Sequence, residues 1–98
     1  MWVVEFEWDS RKAIENIRKH QVQFEEAATV LGDDLSVTVP DPDHSHSEFR
    51  FITVGMSNEN RLLIVSYVER GEKFRIISAR GLTRKERSVY EKARQKYK

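Results

Sequence analysis

The chain has 98 residues, no cysteine, 39% hydrophobic and 34% charged residues, and a formal net charge of +1. That suits one domain, residues 1–98, with a core of its own, and it excludes a disulfide scaffold, thiolate chemistry and a disordered tail protein. No apolar run approaches the ~20 residues of a membrane span, and MWVVEFEWD at the start carries acids where a secretory signal has lysines, so a cytoplasmic address is expected.

The near-neutral total hides a split. Residues 1–48 hold 4 lysines and arginines against 11 acids, a net −7, whereas residues 49–98 hold 13 against 5, a net +8. Either the two halves attract each other or the basic half meets an anion such as phosphate.

In chain order, Trp2, Val4, Phe6 and Trp8 alternate with other residues, which predicts a strand over 2–8. Asp9 suits a helix N-cap, and Ala13, Ile14 and Ile17 form the apolar stripe of a helix over 10–19. Lys19 and His20 fall at its C-terminal end, where the dipole favours positive charge. Residues 24–31, FEEAATVL, predict a second short helix with Gly32 as its stop. Strands are expected at 35–39, 49–54, 61–68 and 74–79, separated by the proline-stiffened loop PDPDHSHS (40–47) and by turns at 57–60 and 70–72. Short loops between the last three strands predict an antiparallel meander. Thr83-Arg84-Lys85-Glu86 reads as a capping box that opens a basic helix ending near Lys96.

The order is therefore β-α-α-β-β-β-β-α. It describes an α+β fold, a small antiparallel sheet with helices mainly on one face and the other face left for function. Trp2, Trp8, Phe24 and Tyr90 are of a type that stacks on bases, but their spacing follows the strand and helix periods and assigns most of them to the core, while Tyr67 and Tyr97 are less committed.

Phosphate-loop NTPase, nucleophile-elbow hydrolase and zincin motifs are absent. Asp41, Asp43, His44, His46 and Glu48 crowd the proline loop, and a metal site of two histidines and a carboxylate is one reading of them; a solvated turn is the other. The arginines make the broader case. A plain two-residue period sets Arg75 with Ile77 and Ala79, and Arg80 with Phe74, Ile76 and Ser78. Arg50, Arg61 and Arg70 extend a basic rim. Guanidinium forks match phosphate oxygens. Cleavage of RNA needs a base for the 2′-hydroxyl proton, an acid for the leaving 5′-oxygen and cations for the crowded phosphorane. Lys19, His20, His44, His46 and Glu48 are candidates for the proton work. Arg50, Arg75 and Arg80 are candidates for the charge work. No metal and no cofactor is required.

Taken together, FEWD (6–9), NIRKHQVQFEEA (16–27), DPDHS (41–45), EFRFITVGMS (48–57), RLLIVSYVER (61–70) and RIISARGLTRKERSVYE (75–91) resemble, in this order and spacing, the BrnT-type toxins of type II toxin–antitoxin pairs. The resemblance implies a RelE-like fold and an endoribonuclease that cuts messenger RNA and halts translation. It also implies a cognate BrnA-like antitoxin with a ribbon-helix-helix part, two toxins assembling with two antitoxins. On this reading the site residues are Lys19, His20, Glu48, Arg50, Arg75 and Arg80. The family pattern K-H-G-V-x-F-E-E-A meets Gln21 in place of its glycine, and glutamine resists the positive φ that glycine tolerates. A non-catalytic binding module using the same basic face is the alternative.

Overall fold

The computed structural model describes residues 5–41 and 48–95, and the expectations for Trp2, Val4, His44, His46 and Tyr97 lie outside them. The elements are β1 (Glu5–Trp8), α1 (Ser10–His20), α2 (Phe24–Val30), β2 (Val37–Pro40), β3 (Arg50–Met56), β4 (Leu62–Arg70), β5 (Lys73–Gly81) and α3 (Arg84–Gln95). The sheet order is β1-β5-β4-β3-β2. Strands β2 to β5 pair antiparallel, as the short turns require, and β1 joins β5 in parallel. That parallel pair reflects the chain's path: α1 and α2 intervene between β1 and the meander, so no tight hairpin ties β1 to its neighbour.

Local signals explain most boundaries. The Asp9 carboxylate accepts the backbone N–H groups of Arg11 and Lys12, at 2.9 and 3.1 Å, and starts α1. Gln21 ends it with φ 57° and ψ 36°, the left-handed conformation that suits glycine. Gly32 does not act as a left-handed stop for α2: Leu31 is the cap, in right-handed helical geometry, and the N–H of Gly32 bonds Thr29 in a continuing turn. The capping box is formed as expected, with the Thr83 N–H donating to Glu86 and the Glu86 N–H donating to Thr83 Oγ1.

One sheet face packs on α1 and α2 through Val22, Phe24, Ala27, Val30, Leu63, Val65, Tyr67, Ile76 and Ala79. Trp8 meets Phe24 edge to face, and Phe51 stacks on Tyr67, so these aromatics are structural. Burying each large side chain of this layer contributes roughly 1.5–3 kcal/mol. Gly55 lies where the chain at 33–36 closes on β3, and a Cβ there would meet Ser36 Cβ at 2.9 Å. Asn16, buried in α1, donates to the carbonyls of Ala79 and Val22 and accepts the Ala79 N–H. It fixes α1 against β5 beyond the end of β1.

The charge split reappears as fastening. Glu5–Lys73, Glu7–Arg75, Glu26–Arg61, Asp33–Arg94 and Glu48–Arg70 each join an acid of the first half to a base of the second. Arg61 is thus no part of a basic rim. It donates to the buried Glu26, which also accepts from Ser57, and it ties α2 to the β3–β4 turn. No helix among the described residues is long and apolar enough to cross a membrane.

Candidate nucleic-acid cleavage site

The second sheet face carries the candidate site, and an irregularity in β5 builds it. Ser66 pairs with Ser78, but Tyr67 pairs with Ile76, so Ile77 is an extra residue without a partner on β4. Such a bulge resets the two-residue period. The plain alternation that put Arg75 and Arg80 on opposite sides is therefore corrected. Arg75 pairs with Val68, Ser78 with Ser66 and Arg80 with Ile64, all on one face. Phe74, Ile76 and Ala79 turn to the core.

At one end of this face Lys12, Glu48, Arg50, Val68, Arg70, Arg75 and Ile77 line a polar cleft of about 160 Å³. Glu48 takes both ends of the Arg70 guanidinium, at 2.7 and 2.9 Å. That pair holds the Glu48 carboxyl below the usual carboxylate range and raises Arg70. Arg75 donates to Glu7 at 3.0 Å and is only partly exposed. Register explains the contact: Glu7 of β1 is the parallel partner of Arg75. Beside this cleft a second one, of about 230 Å³, is lined by Lys12, Glu15, Asn16, Lys19, His20, Ile77 and Ser78. Lys19 makes a loose, exposed pair with Glu15 at 3.4 Å.

Of the six residues expected at the site, the fold gathers Glu48, Arg50 and Arg75 in one cleft and Lys19 and His20 in its neighbour. Arg80 shares their face but lines neither cleft. It is held by Glu86 through two hydrogen bonds of 2.9 and 3.0 Å and also donates to the Gly81 carbonyl. Those bonds, with the Thr83 N–H, pull the Glu86 carboxyl down from 4.5 to about 2. Glu7, Lys12 and Arg70 are the cleft neighbours that sequence reasoning missed as site residues. The sequence places Arg70 on the rim, but nothing in spacing pairs Glu7 with Arg75, because a parallel neighbour leaves no trace in local sequence.

For the metal reading, Asp43, His44 and His46 lie outside the described residues. Asp41 is buried with its N–H on the Arg50 carbonyl, and Glu48 is engaged by Arg70. Among the described residues no group of three or more His, Cys, Asp or Glu gathers to hold a metal ion.

The second face is shared with α3, which stands over its other end. There Val37, Val54 and Ile64 face Leu82, Val89, Tyr90 and Ala93 across an apolar groove of about 400 Å³. Arg94 and Tyr90 hold the far end of the helix: Arg94 donates to Asp33 at 2.9 Å, and the Tyr90 hydroxyl donates to the Leu35 carbonyl. Asp33 also accepts the N–H groups of Met56 and Leu35, and these bonds with Arg94 lower its pKa against the burial that raises it.

Clustered arginines and carboxylates on the sheet face, with the His20 imidazole of α1 beside them, are the donor and acceptor types that phosphate recognition uses. The chain belongs to the family of ribonuclease toxins, BrnT, of type II toxin–antitoxin systems, whose family model matches residues 8–86. Its fold is similar to that of the Brucella abortus ribonuclease toxin BrnT, known from a crystal structure at 1.1 Å. The TM-score is 0.66 at 21% identity, over 84% of this chain and 100% of that one. Among curated proteins there is no match.

Proposed function

We propose that this chain is an endoribonuclease toxin that cuts RNA without a metal ion, by acid–base catalysis assisted by arginines. The observation that carries the reading is the joining of Glu48, Arg50 and Arg75 in one polar cleft with Lys19 and His20 in the next. In the proposed reaction the 2′-oxygen attacks phosphorus and the P–O5′ bond breaks. A 2′,3′-cyclic phosphate and a free 5′-hydroxyl result. The 2′-hydroxyl gives its proton to a base, and an acid returns one to the 5′-oxygen. His20 is suited to proton transfer because an imidazole carries both a donor and an acceptor nitrogen. Glu48, ionised and hydrogen-bonded to Arg70, is the other proton acceptor. Arg50 and Arg75 balance the charge that builds on the phosphorane, with Arg80 extending the binding surface toward α3.

Family membership supports a protein antitoxin as partner. We assign that role to a BrnA-like ribbon-helix-helix protein, two copies with two toxins, and to a cytoplasmic setting. The basic face offers an acidic partner electrostatic complementarity. The mass of the co-purified complex tests the stoichiometry.

The nuclease reading is tested by incubating the purified chain with labelled single-stranded RNA and EDTA. Products ending in 2′,3′-cyclic or 3′-phosphate are expected. RNA left intact by the free chain and also on translating ribosomes would favour a non-catalytic binding module.

A further inference from the structure

The two clefts share two lining residues, Lys12 and Ile77. Ile77 is the bulged residue of β5. Lys12 lies in the first turn of α1, fixed there by the Asp9 cap that its own N–H completes. Its side chain therefore stands at the junction between the arginine cleft and the Lys19–His20 cleft.

Its electrostatic situation differs from that of its neighbours. Arg75 is paired with Glu7, Arg70 with Glu48, Lys19 with Glu15 and Arg80 with Glu86. Each of those cations meets an incoming phosphate with a carboxylate already attached. Lys12 has no ion-pair partner among the described residues. An ammonium on a flexible stem carries three donors and can follow an oxygen as charge moves onto it.

We infer that Lys12 is a further catalytic residue of the ribonuclease reaction, contacting the scissile phosphate where the chain of RNA passes from one cleft to the other. It rests on the ribonuclease reading above. Arg50 and Arg75 act on the same phosphorane from within their cleft, and the Lys12 ammonium neutralises charge on its non-bridging and departing oxygens.

The test compares wild type, Lys12→Ala, Lys12→Arg and, as a basic-surface control on α3, Lys92→Ala. Cleavage is followed at saturating RNA, and binding is followed across salt with an oligonucleotide whose 2′-hydroxyls are removed. Lys12→Ala is expected to lower kcat at least about tenfold, with part of the loss recovered in Lys12→Arg. Its salt slope for binding is expected to flatten by about 0.7, one single-strand phosphate contact. The control should match wild type in both. Cleavage by Lys12→Ala within about twofold of wild type overturns the assignment, whatever the slope. If wild type cleaves RNA neither free nor on translating ribosomes, the ribonuclease reading fails by itself, and binding alone then judges Lys12: an unchanged slope, or no binding by wild type, overturns the contact.

Discussion

At one end of the second sheet face Arg50, Val68 and Arg75 stand with Glu48, Arg70 and Lys12. At the other, Val37, Val54 and Ile64 look across an apolar groove at Val89 and Ala93 of α3. Both ends share β3 and β4 and the same alternation, while β5 completes the polar end and β2 the apolar one. They differ in what accompanies them. The polar end is bordered by β1 and α1, which supply carboxylates and amines, and its cations remain within reach of solvent. The apolar end is bridged by a helix tied down at both ends, by Glu86–Arg80 and by Arg94–Asp33. The cations of the polar cleft and the charges that hold the helix stand toward opposite ends of the face, so the two can be disturbed separately.

The largest effect is expected from Arg75→Ala, which removes a donor from the polar end and should slow RNA cleavage about a hundredfold. Thermal unfolding should barely move, since the partly exposed Glu7 pair adds little stability. At the opposite end Arg94→Ala leaves the mostly buried Asp33 with one fewer charged partner and should cost roughly 2 kcal/mol in denaturant unfolding. Its cleavage rate at a temperature where the variant is folded should match wild type; a large loss would dissolve the separation of the two ends. Arg80→Ala sits on the boundary and should show both kinds of defect, about tenfold in cleavage and a lowered melting temperature through the loss of its two bonds to Glu86.

Glu86 makes the same boundary sensitive to acid. Its folded pKa, about 2, lies below the usual 4.5, so the unfolded chain binds its proton first. The stability it contributes is present above about 4.5 and declines as pH falls toward 2. Unfolding followed across that window should show a shallower decline in Glu86→Gln than in wild type. The smallest effect is local: Gln21→Gly relieves a left-handed backbone at the end of α1 and should stabilise by about 1 kcal/mol, read as a rise in melting temperature.

Elements whose signals are local were legible in the sequence. Asp9 capping, the Thr83–Glu86 box, the turn at Ser57–Asn60 and the order of the strands all depend on neighbours within a few residues. Gln21 was legible in a subtler way, because the family pattern has glycine where φ is positive here. What escaped depends on partners far along the chain. Periodicity assigns faces but not neighbours, so neither the parallel place of β1 nor the Glu7–Arg75 pair could be read. An uninterrupted two-residue period also hides a bulge, and Ile77 alone moves Arg80 to the side of Arg75. Spacing puts Arg61 on a basic rim, whereas its partner Glu26 lies far back along the chain.

One further consequence follows from Asn16. Strand β1 ends at Trp8 opposite Ile76, yet β5 runs on to Gly81, leaving a stretch of its backbone paired with β4 but, among the described residues, without a strand on the β1 side. A bare ladder of this kind recruits strands from other chains. The Asn16 carboxamide gives and takes one hydrogen bond at Ala79, as a peptide unit of a neighbouring strand would. A single side chain thus does the duty of a missing strand and leaves one position fewer on that edge open to a strand from another chain.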